Sequence, residues 1–567
     1  MSHIFGVVTP PNQSVREISF NNGRKIVQKD NFVLFCDGIQ ETSFYSEDPN
    51  TGKGYLVVGV GLVENEHLIN HLNHDQWQKI CTRKTPDFEE IMGHYLVIIW
   101  DKNRIRIFND TLGLRTAYIY KDNQDNIYFS SRLDWLSNFI RQPSINFDHF
   151  GSYWLMVNQI GTGCFQKNVY RLGPNGYIEI KNSDWSANES YFVPSQDSSY
   201  SRSKKSFDYV LKQNANPDCS QKVSLGLSGG LDSRTLLAVK SPPFHTHTFG
   251  DPQNPDAVTA KKIADELSSE HRFYEQHIPK FKNCEDEILD FVGQLNGTVS
   301  AHGYFLAPIL KALKEAGLLL IDGGGGELHR RQFMGKLSLL NFKKPHEIKI
   351  QELYDALADQ KMKIFTNDII KKMEAAALEQ LEMVWKKAVG VAGDSLGNCI
   401  DLFSLWTRLS NISAMDHGWY DSNIPAYMPF VQKNILELMF SLPTKERKDG
   451  KFFKNIINNE NKVLQNFDLI KDGTSYPFYL GKYSAYIYIK LKNKVNPGFK
   501  DQMGENFLRV NREYVLDTLH SQQTRECSLY DIDAIYKTVT AFYDGQYGLE
   551  SEVNDWLTFE LWRQQNS

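Results

Sequence analysis

Val223-Ser224-Leu225-Gly226-Leu227-Ser228-Gly229-Gly230-Leu231-Asp232-Ser233-Arg234-Thr235-Leu236-Leu237 is the stretch whose reading decides the fold. Val223 to Leu227 supply the short apolar run of a buried parallel strand. Leu231, Leu236, Leu237 and Val239 give the residues after the glycines a helical apolar face. Between strand and helix, Gly229 and Gly230 permit a tight turn with inward-pointing N–H groups, beside the hydroxyls of Ser228 and Ser233 and the positive end of a helix dipole. Such a turn suits phosphate. Asp232 is the odd member, because a carboxylate repels phosphate unless a divalent cation sits between them; it is therefore assigned to Mg²⁺. The Gly-Lys-Ser/Thr ending of the common nucleotide loop is missing, which argues against a kinase or GTPase.

A second glycine turn follows. Leu318-Leu-Leu-Ile-Asp322-Gly-Gly-Gly-Gly-Glu327-Leu-His-Arg330-Arg331 is again an apolar strand opening into glycines, at the strand end where parallel sheets bind ligands. Between the two turns, His245-Thr-His-Thr-Phe249-Gly250 reads as a strand and Asp256 to Leu267 as a helix, with Ala257, Ala260, Ile263, Ala264 and Leu267 at helical spacing. His245 and His247 share one strand face without a third ligand and read as structural.

At 567 residues and 65.3 kDa the chain is too long for one core, and 41% hydrophobic with 23% charged residues is globular composition. With 63 basic and 68 acidic side chains, a net charge of −5 and no basic run, nucleic acid is not an expected partner. Seven scattered cysteines without a Cys-x-x-Cys pair argue against zinc or a disulfide frame and for reduced thiols. No leader is seen and no apolar run approaches the ~18 residues of a membrane span, so a cytoplasmic location is expected.

Residues 1–135 alternate apolar runs with turn signals: Ile4–Val8, Phe32–Cys36, Tyr55–Leu62, Tyr95–Trp100, Ile105–Phe108, Ala117–Tyr120 and Ile127–Phe129 predict a strand-rich layered domain. Polar residues 184–207 mark a boundary. The expected division is 1–183, a linker at 184–207, and 208–567.

Ser-Gly-Gly-Leu-Asp-Ser at 228–233 resembles the PP-loop of ATP pyrophosphatases. Gly93-His-Tyr-Leu-Val-Ile-Ile-Trp-Asp101, Ile107 to Tyr120, Tyr128 to Leu136 and Leu172-Gly-Pro-Asn-Gly176 follow the order of the glutaminase domain of asparagine synthetases. The second glycine turn is similar to that family's Ser-Gly-Glu-Gly-x-Asp-Glu-x-Phe. Pro429-Phe-Val-Gln432 is similar to its Pro-Phe-Leu-Asp, and Gly450-Lys-Phe-Phe-Lys454 to its Gly-x-x-x-Lys.

The resemblance implies an α/β protein: an N-terminal Ntn-type αββα sandwich, then a parallel α/β PP-loop domain with helical additions. It implies ATP and Mg²⁺, with the nucleotide on Leu227, Ser228, Gly229, Gly230, Leu231, Asp232 and Ser233. Phe249 and Gly250 would lie beside the adenosine, Gly324 and Gly325 in the same site, and the metal on Asp232 and Asp322. Lys454 would reach the α-phosphate and Glu327 would be the second catalytic group. Arg330 and Arg331 are alternatives for a substrate carboxylate or phosphate.

Departures from the family are as telling. Ser2 stands where the glutaminase has its nucleophilic cysteine, and neither Arg-Gly-Pro-Asp nor Asn-Gly-Glu-Ile is present. Gly326 and Gly323 replace an aspartate that shares the metal and a glutamate near the nucleophile; Tyr427 replaces an arginine and Gln432 an aspartate. The expected protein adenylates a small-molecule or peptide carboxylate, releases pyrophosphate and captures the adenylate with ammonia or an amine, without glutaminase, as β-lactam synthetases and lasso-peptide cyclases do. Asparagine synthesis proper, with ammonia or with glutamine through Ser2, is the alternative enzyme, and a nucleotide-binding scaffold the alternative of another class. A homodimer or a biosynthetic-cluster partner are the associations left open.

Overall fold

The computed structural model describes residues 3–566 except 12, 16–19, 21, 66–67, 182, 195–199, 331–334, 341–342 and 360–362. The alternating N-terminal runs become strands of two antiparallel sheets. One has six strands in the order Val169–Arg171, Tyr118–Lys121, Ile127–Ser130, His3–Val8, Phe32–Asp37, Arg24–Lys29. The other has Asp184–Asn188, Tyr177–Lys181, Arg104–Asn109, Met92–Trp100, Gly54–Glu64 and Ser43–Glu47 in order, with Ile69–His71 paired to Gly54–Glu64.

Because successive side chains alternate in direction, each of these strands can feed two cores. Ile4, Leu34 and Phe129 of the first sheet pack with Val58, Ile98 and Ile107 of the second. On the far side of the second sheet, Tyr55, Val57 and Tyr95 pack on Trp77 of helix His74–Cys81. On the far side of the first, Phe5, Val7 and Phe35 pack with Trp135 and Phe150 of helices Leu133–Ser137 and Phe147–Met156. The expected αββα sandwich is the observed one. Its buried aromatic and aliphatic side chains each contribute about 1.5–3 kcal/mol.

The residues read as a linker hold structure at both ends: Asp184–Asn188 is an edge strand of the second sheet, and helix Tyr200–Ala215 begins there. The edge strand is mostly exposed, which is why its sequence is polar.

The C-terminal half is built on a five-stranded sheet in the order Glu270–Glu275, His245–Gly250, Lys222–Gly226, Leu318–Ile321, Ala426–Tyr427, parallel throughout. Lys222–Gly226 occupies the centre. Leu225 lies opposite Ile321, so the two glycine turns leave the sheet side by side at the same edge. Pro255–Glu266 is the predicted helix; Asn254 caps it by accepting from the Asp256 N–H, and Pro255 opens its first turn. Long helices, among them Asn367–Ala392 and Glu550–Gln565, complete this half.

The two halves share buried contacts. Gln432, which stands in the aspartate position, accepts from the Gly93 N–H at 2.9 Å, and Arg171 donates to Asn411 Oδ1 at 2.7 Å and to Ser410 O at 3.0 Å. Tyr427, in the arginine position, donates to Asn214 O at 2.6 Å. Among the described residues no helix is long and apolar enough to cross a membrane.

Candidate functional site

Helix Leu231–Val239 starts directly at the first glycine turn, and the turn's N–H groups converge on oxygen atoms. Ser228 N–H donates to Ser233 Oγ (3.2 Å), Gly229 N–H to Asp256 Oδ1 (2.9 Å) and Gly230 N–H to Ser228 Oγ (3.1 Å). The Asp256 carboxylate oxygen stands where an anionic oxygen of a ligand would be held. Of the three N–H groups, that of Gly229 holds an anionic oxygen, and those of Ser228 and Gly230 are held by the turn's own hydroxyls. Burial raises the Asp256 carboxyl above its ordinary range, while the Gly229 N–H and Arg234 act against that rise.

Leu227 and Leu231 are buried. Leu227 continues the sheet, with its N–H on His247 O at 2.8 Å and its carbonyl taken by Thr248 Oγ1 at 2.5 Å. Phe249, at the end of the neighbouring strand, is 37% exposed and faces Phe305 at 6.4 Å; Gly250 follows with φ +133°. An exposed ring at a strand end is free to stack on a base. His247 is held by Ser224 Oγ at 2.9 Å and His245 pairs with Glu270, so both are structural as expected.

The second turn meets the first at Asp232. Arg330 Nε donates to Asp232 Oδ1 and Arg330 Nη2 to Oδ2, each at 2.6 Å, a two-pronged fork on one carboxylate. Burial pushes the Asp232 carboxyl up to about 6; Arg330 pulls it back down and Glu327 adds to the rise. The guanidinium is held above its usual value by Asp232 and Glu327, against a desolvation that lowers it. At neutral pH the pair is ionised. Asp322 is also pushed up to about 6 by burial, and its Oδ1 accepts from the Gly324 N–H at 2.6 Å. Glu327 is exposed at the start of the short helix Gly326–His329. Gly325 packs against Val431, and Gly324 against Met428.

These side chains do not present a Mg²⁺ site in this arrangement. Both oxygens of Asp232 are taken by a guanidinium, one oxygen of Asp322 is taken by the backbone, and a Cβ at Gly326 would lie 2.4 Å from Asp232 Cγ, leaving no room there for a second carboxylate. Among the described residues, the three-membered group able to share a cation lies elsewhere, at His94, His417 and Asp421.

A strap crosses the first turn. Ile470 N–H donates to Gly229 O at 3.1 Å, and a Cβ at Gly229 would lie 2.2 Å from Ile470 Cγ1. Arg234, wholly buried, donates to Gly229 O (3.1 Å) and to the carbonyls of Leu464, Phe467 and Asp468 at 3.3, 2.7 and 2.8 Å. Ile470 belongs to the hairpin of strands Leu469–Lys471 and Thr474–Tyr476. Beyond it, Lys454 Nζ donates to Phe478 O at 2.6 Å and to Leu480 O at 2.8 Å, over the Phe478 ring. Desolvation, and then Arg234, lower the Lys454 amine below its ordinary value. Lys451, three residues earlier in the same segment, is exposed.

Sequence reasoning missed Arg234, Asp256 and Ile470. Besides Gly229 O, the acceptors of Arg234 are carbonyls some 230 positions away, and no local pattern points to them. Arg330 was named only as a binder of substrate anions, whereas it binds Asp232. Arg331 and Ser2 lie outside the described residues.

At the seam between the halves, His94 Nε2 lies 2.7 Å from Asp421 Oδ2, which also meets Arg115, with His417 alongside. Desolvation drives both histidines well below their ordinary pKa, so they are neutral. A cavity nearby is lined by His3, Arg115, Tyr118, Gln294, Met415 and Trp419.

Comparison with known proteins places residues 217–459, which hold both glycine turns and Lys454, in the asparagine synthase family. The match spans 217–459 and does not extend to the residues before or after it. No curated protein matches the chain. Two solved structures are similar at a distance. The allosteric regulatory enzyme of purine biosynthesis is 12% identical over 40% of this chain and 54% of its own, with a TM-score of 0.21. Glutamine phosphoribosylpyrophosphate amidotransferase from B. subtilis, complexed with ADP and GMP, is 11% identical over 56% of this chain and 75% of its own, also at 0.21. The chain spans about half the length of the first of these structures.

Proposed function

We propose that this protein is an ATP-dependent, amide-bond-forming synthetase that takes its nitrogen from ammonia or a substrate amine rather than from glutamine. The observation that carries the reading is the nest at 228–233, whose three N–H groups already close on oxygen atoms at the end of the central parallel strand. Residues 208–567 would carry the chemistry and residues 1–183 would serve as its structural partner.

In the proposed reaction a substrate carboxylate oxygen attacks the α-phosphorus of ATP, the bond to the β-phosphate oxygen breaks, and pyrophosphate is held by the nest. An amine nitrogen then attacks the acyl carbon, AMP departs with the bonding electrons, and the amine proton passes to a carboxylate, which we assign to Glu327. Phe249 and Gly250 would flank the base. Lys454 would stabilise charge on the α-phosphate, which requires its release from the carbonyls of Phe478 and Leu480. The substrate is a small-molecule or peptide carboxylate.

The test is release of AMP and pyrophosphate from ATP by the purified protein supplied with pooled amino acids and cell extract, beside Lys454→Ala and Ser228→Ala. Substrate-stimulated AMP formation that both changes abolish is the expected result. A second reading, a nucleotide-binding scaffold, is favoured by the strap, which packs Ile470 on the nest and ties down Lys454. ATP binding without AMP from any pool would select it.

A further inference from the structure

The family that residues 217–459 match implies a divalent cation at Asp232, and the side chains around Asp232 disagree with that. Three features make the disagreement specific. The guanidinium of Arg330 takes both oxygens of the carboxylate at 2.6 Å, the fork geometry in which an arginine best satisfies a carboxylate. Both side chains are only 14% exposed, so the charge on Asp232 is met inside the protein rather than by water. Position 326 has no side chain, and a Cβ there would lie 2.4 Å from Asp232 Cγ and 2.7 Å from its Oδ1.

The first and the third belong together. Gly326 and Arg330 bracket one short helical turn, with the Arg330 N–H on Gly326 O at 3.1 Å. A carboxylate at 326 would crowd Asp232 and demand a cation of higher charge. Its absence spares Asp232 a second carboxylate in direct contact, so that one guanidinium meets its charge, and leaves the space through which the two meet.

We propose that Arg330 is a built-in counter-ion occupying the place of a divalent cation at Asp232, so that the glycine turn at 228–233 takes a nucleoside triphosphate without recruiting a metal ion of its own. The nucleotide half of this statement rests on the proposed function; the metal half does not. An immobile cation costs no metal and keeps the carboxylate neutralised before any ligand arrives. It also acts as a positioning residue, holding Asp232 away from the phosphates that the nest receives.

The experiment uses the full chain and two probes. Mn²⁺ alone is titrated by electron paramagnetic resonance against wild type, Arg330→Gln and Gly326→Asp/Arg330→Gln, with circular dichroism and thermal melts reporting whether each variant folds. The expected result is no Asp232-dependent Mn²⁺ site in wild type and a gain of at least about tenfold in Mn²⁺ affinity in Arg330→Gln. The double variant, if it folds, gains more. Since Arg330→Gln alone carries the prediction, misfolding of the double variant does not remove it. An Mn²⁺ site in wild type that Asp232→Asn abolishes would overturn the proposal, whatever happens with nucleotide.

ATP binding is then measured by calorimetry in EDTA and in excess Mg²⁺. Equal affinity within about twofold in wild type, with Mg²⁺ dependence appearing in Arg330→Gln, supports the proposal. Binding that falls tenfold or more in EDTA overturns it and leaves the proposed function standing. No ATP binding under either condition overturns the nucleotide half together with the proposed function, and the Mn²⁺ titration then decides the metal half by itself.

Discussion

The two glycine turns leave the same edge of one parallel sheet, one strand apart, and are built in opposite ways. The first, at 228–233, is closed from within: its N–H groups are bound by Ser228, Ser233 and Asp256, and Arg234 braces its carbonyl. The second, at 322–326, carries few groups of its own and is filled from outside, by Asp232 at Gly326, Met428 at Gly324 and Val431 at Gly325. Glycine therefore does two jobs here. In the first turn it lets backbone donors reach their acceptors and, at Gly229, admits Ile470; in the second it chiefly vacates volume for neighbours. A glycine-rich motif announces close approach without saying what approaches.

The most damaging way to break this contrast is to remove the carboxylate that joins the turns. Asp232→Ala leaves the Arg330 guanidinium without its forked partner and is expected to cost about 3 kcal/mol, read by chemical denaturation. A smaller loss would show that Arg330 is readily hydrated and that the turns are only loosely joined.

Gly229→Val comes next. Its new side chain meets Ile470 Cγ1, already 2.2 Å from a Cβ at that position, and should cost about 1–3 kcal/mol with faster proteolysis across residues 471–481. Trimming the opposing side chain, Ile470→Ala, should recover part of that cost in the double variant. No recovery would mean that the strap does not seat on the first turn.

Lys454→Ala removes two charge-assisted bonds to Phe478 O and Leu480 O and should loosen the same strap by about 1–2 kcal/mol, measured as hydrogen exchange of residues 478–481. Exchange unchanged while AMP formation is lost would show a lysine already serving chemistry rather than the strap.

A pH titration sharpens the picture further. Asp232 is raised from 3.8 to about 6, so the folded protein binds an extra proton between those values. Its contribution to stability is fully present below about pH 4, falls as pH rises through 6 and is constant above. The stability difference between wild type and Asp232→Asn should therefore change between pH 4 and 6 and be flat from 7 upward. A flat difference throughout would mean that Arg330 cancels the effect of burial. The smallest expected effect is that of Asp256→Asn, which keeps the acceptor for Gly229 N–H but removes its charge, and should tighten ATP binding by about twofold to fivefold. Weaker binding would assign Asp256 to holding the nest open for nucleotide.

Much of the scaffold was legible. All seven predicted N-terminal runs are strands, and the strand, turn and helix around Ser228 stand where apolar periodicity puts them. Period-two and period-3.6 patterns are local properties that the chain displays in order. Strands such as Arg24–Lys29 and Ser43–Glu47 escaped notice because their pairing partners, not their composition, make them strands. The candidate site's motifs were visible in the sequence, and its pairings were not. Asp232 was picked out by its residue type and Asp322, Lys454 and Glu327 through the family resemblance, but the partner of Asp232 is 98 positions away and the acceptors of Lys454 lie on a strap with no motif of its own.

What the sequence determined by itself is the order of layers and the strand, glycine turn and helix around Ser228, because both follow from short-range periodicity and from backbone freedom at glycine. Which charge neutralises Asp232, and what covers Gly229, were decided only by tertiary structure. Those outcomes depend on which side chains a parallel sheet and its crossovers bring within reach, and an ion pair buried from water forms with whichever opposite charge arrives.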